Sequence, residues 1–164
     1  METAVKKYHV HKSDLYPLSQ MDKFKVAKEY PDVRGWDIVG GDGEKLGKVK
    51  DLIADVKHMK IRYLDVDLKH DFFEDGESYQ ILIPLGVAIL NRDDHNVIVT
   101  GITSANLANF PLYKREPIYV VRSYETAVQS FFENRLDRPQ TTPTPYNDEF
   151  YQHRNFDDSA FYRD

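Results

Sequence analysis

Three glycines, Gly41, Gly43 and Gly47, follow an apolar run in "WDIVGGDGEKLGKVKDLIADV", residues 36 to 56. Glycines after a strand are what a phosphate-cradling loop needs, because backbone amides must approach the anion closely. A dinucleotide fingerprint requires G-x-G-x-x-G opening a helix. Here the spacing is G-x-G-x-x-x-G, and Val49, Leu52, Ile53 and Val56 continue as strand with no helix cap. No Lys-Ser or Lys-Thr follows the glycines, so a P-loop fails as well. The segment reads as a hairpin turning at Asp42–Gly43, where Asp and Gly supply positive φ.

The other chemistry-bearing residues are weaker candidates. His9 and His11 share one face of an extended "HVH", yet a metal site needs a third ligand at fixed spacing. Asp93, Asp94 and His95 in "RDDH" combine groups able to pass protons across a surface, and the same residues make an ordinary hairpin turn. Asp71, Glu74, Asp75 and Glu77 surround Phe72 and Phe73 in "HDFFEDGES" without the regular ligand pattern of a cation loop. Asp65 and Asp67 fall on one face of a strand and read as a solvent-facing row. Ser104 and Ser123 read as helix caps, and no G-x-S-x-G elbow is present. We therefore expect no catalytic residue, no bound cofactor and no metal.

Composition narrows the classes further. A chain of 164 residues with 41% hydrophobic and 30% charged residues suits one domain with appendages. A net charge of −5, its acid excess lying beyond residue 35, argues against direct nucleic-acid binding through phosphates. The absence of cysteine excludes disulfides, thiolate zinc sites and a Cys nucleophile. The longest apolar stretch, "ILIPLGVAIL" (81–90), is broken by Pro84 and Gly86 and falls short of the ~20 residues a bilayer span needs. With no apolar signal core in "METAVKKYHVHKSD", the expectation is a cytoplasmic protein without a transmembrane segment.

The elements that must position these residues are mainly strands. "WDIVG", "KLGKVKDLIADV", "IRYLDVDL", "YQILIP" and "VIVTGI" are separated by the turns "GDGE", "HMK" and "NRDDHN". Imperfect alternation in "KLGKVKDLIADV" predicts a bulge, and Pro84 predicts a strand end or a sheet edge. In "TSANLANFP", Thr103 or Ser104 caps a single helical turn closed before Pro111, and "PIYVV" (117–121) offers a last edge strand. The pattern predicts a mainly β fold, a small barrel or sandwich rather than β-α-β units.

From residue 123 the period becomes helical. Tyr124, Ala127, Val128, Phe131, Phe132 and Leu136 form a stripe that predicts an amphipathic helix over 123–136. The remainder, 137–164, is poor in aliphatics, which favours disorder, yet its last nineteen residues hold six aromatics. These include Tyr151, Phe156 and Phe161, and they suggest an extended arm laid on this barrel or on a neighbour's.

Residues 31–68, "PDVRGWDIVGGDGEKLGKVKDLIADVKHMKIRYLDVDL", resemble the PRC-barrel domain. "ILIPLGVAIL" and "VIVTGITSANLANFPLY" resemble its later blocks, and "LYPLSQMDKFKVAKEYPDVRG" resembles the lead-in of members like the photosynthetic reaction-centre H subunit. The resemblance spans about residues 15 to 122. It implies a small, partly open β-barrel with a core of Trp36, Ile38, Val49, Leu52, Ile53, Val56, Leu64, Val66, Ile81, Ile83, Val97 and Val99.

The expected organisation is an N-terminal extension (1–30), a PRC-barrel domain (31–122), a helix (123–136) and an aromatic acidic tail (137–164). In H subunits the barrel caps a membrane complex and supplies carboxylates and histidines for proton delivery; related ribosome maturation factors bind a ribosomal protein. The H subunit has an N-terminal membrane helix, whereas residues 1–34 here are polar, so its photosynthetic role does not travel with the fold.

The expectation is a non-enzymatic docking or scaffold module that binds protein, including a second copy. The alternatives are an H-subunit-like accessory of electron transport, in peripheral contact with a membrane complex, and a ribosome-assembly adaptor. Candidate partner-binding residues are Phe72, Phe73, Tyr124, Val128, Phe131, Phe132, Tyr151, Phe156 and Phe161; Asp93, Asp94 and His95 form the candidate proton-transfer surface.

Overall fold

The computed structural model describes residues 15–21, 31–112, 122–135, 150–152, 154–158 and 161. Among the described residues, seven strands, β1 (Leu15–Pro17), β2 (Asp37–Gly40), β3 (Lys45–Asp55), β4 (Lys60–Leu68), β5 (Gln80–Pro84), β6 (Ile89–Asn91) and β7 (Asn96–Val99), are followed by an α-helix, α1 (Arg122–Arg135). The sheet runs β5-β4-β3-β2-β7-β6 and does not close, which leaves β5 and β6 at its ends. The β2–β7 pair is parallel and the other pairs are antiparallel. The eleven-residue β3 is long enough to carry two strands on one edge: β2 pairs with its first half and β1 with Ile53–Asp55.

The Asp42–Gly43 hairpin forms as its residues dictate. Gly43 has φ +82° and donates its amide to the Gly40 carbonyl at 3.0 Å, while the Gly40 amide reaches the Glu44 carbonyl at 2.9 Å. Lys45 begins a strand, not a helix. At Gly47 a Cβ would lie 2.0 Å from the Asp67 carbonyl oxygen, so glycine there permits close approach of β3 and β4. The predicted bulge is present as register shifts at Val49/Asp51 and Ile53/Ala54. Pro84 ends β5, which is also an end strand, so its missing amide costs no ladder bond.

Ten of the expected core residues are buried: Ile38, Val49, Leu52, Ile53, Leu64, Val66, Ile81, Ile83, Val97 and Val99. Trp36 is half-buried with its ring edge on His95, centroids 5.0 Å apart, and Val56 is half-buried at the β3–β4 turn. Leu15 and Leu18 join the core from β1 and the 3-10 turn after it, a contribution that the sequence pattern did not indicate. Asp51 ties this turn down, accepting from the Ser19 hydroxyl and, at 3.3 Å, from the Ser19 amide.

Other local expectations divide. Thr103 turns the chain by accepting the Asn106 amide on its Oγ1 at 3.2 Å, before the 3-10 turn Leu107–Asn109. Ser104 instead donates to Asp42 through both hydroxyl (2.6 Å) and amide (3.0 Å), pinning the β2–β3 hairpin to the segment after β7. Ser123 lies within the first turn of α1, so it is not a flanking cap. His9, His11, the "PIYVV" segment and Leu136 lie outside the described residues. Among the described residues, no helix is long and apolar enough to cross a membrane.

Candidate docking face

Strand β4 determines where this face lies. Its residues alternate by the two-residue period of a strand, so Leu64, Val66 and Leu68 point one way and Tyr63, Asp65 and Asp67 the other. Both sides are buried: Leu64 and Val66 are inaccessible, and so are Tyr63 and Asp65, at 0% and 1% exposure. Asp65 is therefore not part of a solvent-facing row; only Asp67 keeps partial exposure. The reason is that α1 and the C-terminal arm lie across the side the barrel does not use.

The face of α1 turned inward is mixed. Val128 and Phe132 are buried beside Glu125, Gln129 and Glu133, a row of polar residues at four-residue spacing. Ala127, placed in the predicted stripe, is exposed instead. Phe131 and Phe132 pack edge-on against Phe110 at 4.7 and 5.6 Å, and Phe132 closes over Gly101. The Tyr124 hydroxyl accepts the Leu82 amide at 3.2 Å and donates to the Pro111 carbonyl at 2.6 Å. It thereby occupies an amide on end strand β5 and links that strand to the chain beyond β7. Burial raises the Tyr124 phenol well above its usual pKa, the Leu82 bond opposing this and Asp65 adding to it.

The arm completes the face. Phe150, Phe156 and Phe161 are buried, and the 3-10 turns Phe150–Gln152 and Arg154–Phe156 replace the extended conformation expected of a tail. Phe156 packs edge-on against Tyr63 at 5.3 Å, and the second turn rests on the Leu85–Val87 turn after β5. The Tyr151 hydroxyl donates to the same Glu125 oxygen as the Tyr63 hydroxyl, which lies 3.0 Å away. Asn155 donates to Gln129 at 2.9 Å, and the Arg62 guanidinium lies 4.5 Å from the centroid of the Tyr151 ring. Arg62 is held by paired bonds to Asp55, both 3.0 Å.

Most of the expected partner-binding residues thus serve the chain itself. Val128, Phe131, Phe132, Phe156 and Phe161 are buried internally, and Tyr124 and Tyr151 are half-buried with bonds inside the chain. Phe72 and Phe73 are half-buried against the barrel end, Phe73 stacking on Tyr79 at 4.3 Å and Phe72 lying 5.9 Å from the Lys69 ammonium. Asp93, Asp94 and His95 are exposed in the β6–β7 turn, where His95 takes φ +53° and Asn91 caps the Asp94 amide. Among the described residues, no group of three or more His, Asp or Glu is arranged to hold a metal ion.

Sequence reasoning missed Tyr63, Arg62, Glu125, Gln129 and Asn155. The one signal within reach was the Glu125–Gln129–Glu133 row beside the apolar stripe, polar residues at a spacing that shares one helix face.

These features define a small open β-barrel whose outer side carries a helix and an aromatic arm. Residues 25–105 match the family model described as the PRC-barrel domain. The chain carries a PRC-barrel domain, a general and non-catalytic domain family. No curated protein matches the chain.

Proposed function

We propose that this protein is a non-enzymatic docking or scaffold module that holds peptide segments against the outer side of its barrel. One observation carries the reading: the barrel already binds a remote stretch of its own chain through aromatic, cation–π and hydrogen-bonding contacts. Such a mixed footprint is the composition of recognition surfaces, where aromatics anchor and polar groups orient. On this reading the protein is cytoplasmic and its partner is a protein, a second copy included.

The test is the size of the protein in native lysate. Docking predicts migration in an assembly well above the 19.2 kDa chain mass; a peak at the monomer mass alone would sink the reading.

A second reading, the H-subunit-like accessory of electron transport, is favoured by the exposure of Asp93, Asp94 and His95 together on one turn. Recovery in the membrane fraction and its loss in an Asp93→Asn, Asp94→Asn variant would support it. For a ribosome-assembly adaptor, co-sedimentation with ribosomal subunits at low salt is the equivalent check.

A further inference from the structure

We propose that the surface beneath the arm is a peptide groove, and that the described arm residues 150–152, 154–158 and 161 are its built-in occupant, displaceable by an outside segment of the same chemistry. The proposal rests on the docking reading and names its site and partner class. The groove consists of Arg62 and Tyr63 on β4, Glu125 and Gln129 on α1, and the Leu85–Val87 turn. The partner is a short segment with a tyrosine followed, four and five residues later, by a carboxamide and an aromatic ring.

Three observations carry this. First, the groove's polar groups are specific in their demands. The Glu125 carboxyl takes a phenol hydroxyl from Tyr151, the Gln129 carbonyl takes the Asn155 amide, and the Arg62 guanidinium lies over the Tyr151 ring. A segment lacking these groups would cover buried polar atoms without bonding them. Second, the groove residues are positioned by the barrel and helix as well as by the arm: Arg62 by Asp55, and Glu125 by Tyr63. Third, the chain between Arg135 and Phe150 is fourteen residues, among them "RPQTTPTP", a tether of sufficient length to hold a ligand at its site. Such a tether sets an effective concentration of about 1 mM, so an outside peptide at about 10 μM fills roughly one groove in a hundred while the arm is attached.

The experiment uses the full chain with a protease recognition sequence replacing residues 141–144, compared before and after cleavage. The probe is a fluorescein-labelled peptide of residues 146–164. Before cleavage, 10 μM probe should show no rise in anisotropy. After cleavage the folded remainder should exchange its arm for probe, raising occupancy by tens of fold. A probe carrying Tyr151→Phe and Asn155→Ala should bind at least tenfold more weakly.

Unfolding of the cut chain, or an arm that never exchanges, would make the arm an inseparable part of the core and overturn the proposal. Equal binding by the altered probe would also overturn it. Arm exchange between uncut copies, read as a species of twice the chain mass, would support displacement and identify a second copy as the source of the outside segment. If exchange fails while the protein still migrates in a larger native assembly, docking survives on another face; exchange in a protein that is monomeric in lysate removes the docking reading alone.

Discussion

The hydroxyl of Tyr63 on β4 donates a 3.0 Å hydrogen bond to the carboxyl of Glu125 on α1, in the interior and across 62 positions of sequence. It is a direct polar link between barrel and helix, and Phe156 of the arm packs on the same ring. A buried hydrogen bond of this kind contributes about 1 kcal/mol. Tyr63→Phe keeps the ring and removes the bond, so the unfolding free energy should fall by that amount, read as a lower urea midpoint with an unchanged slope. An unchanged midpoint would show that the bond does not help to hold the helix.

Tyr124→Phe tests the end of the sheet. Loss of its hydroxyl frees the Leu82 amide and the Pro111 carbonyl together. We expect about 1–2 kcal/mol of destabilisation and faster deuterium exchange at the Leu82 amide, with little change at the β3–β4 ladder. In the wild type, spectrophotometric titration should find Tyr124 still protonated after exposed tyrosines have ionised, because burial raises its pKa.

Two glycines of one segment should respond differently to alanine. At Gly43 there is open space for a Cβ but φ is +82°, so Gly43→Ala should cost about 1 kcal/mol of backbone strain. At Gly47 the Cβ would collide with the Asp67 carbonyl at 2.0 Å, forcing β3 from β4. Gly47→Ala should cost about 3 kcal/mol. Thermal melts of the two variants decide it; a larger loss at Gly43 would contradict this geometry.

Acid should weaken the β3–β4 hairpin through Asp55. Burial pushes its carboxyl up, but hydrogen bonds from His58 and Arg62 outweigh burial and hold the pKa below its ordinary value. A depressed folded pKa means stability present above the unfolded value, near 3.9, and lost as pH falls through the folded value. Wild-type stability should therefore decline below about pH 4, and Asp55→Asn should flatten that decline. At pH 7 the variant should be about 3 kcal/mol less stable, because Arg62 is left buried without its counter-charge. Parallel acid profiles for the two proteins would exclude this role.

The amino-acid sequence by itself determined the turns and the strands between them. Positive φ at Gly43, the missing amide of Pro84 and the polar "NRDDHN" act within a few residues, so they are visible in a short window. The blocks that resemble the PRC-barrel family added the open-barrel class.

Tertiary structure alone decided what covers the outer side of β4. Asp65 looks like a surface residue in "IRYLDVDL" and is buried; Phe131 and Phe132 look like a free stripe and are buried too. Those outcomes depend on α1 and the arm returning across more than sixty positions, and on parallel pairing of β2 with β7. Alternation records which residues share a side of a strand. Whether that side meets water or another part of the chain is a long-range packing choice, and no local pattern carries it.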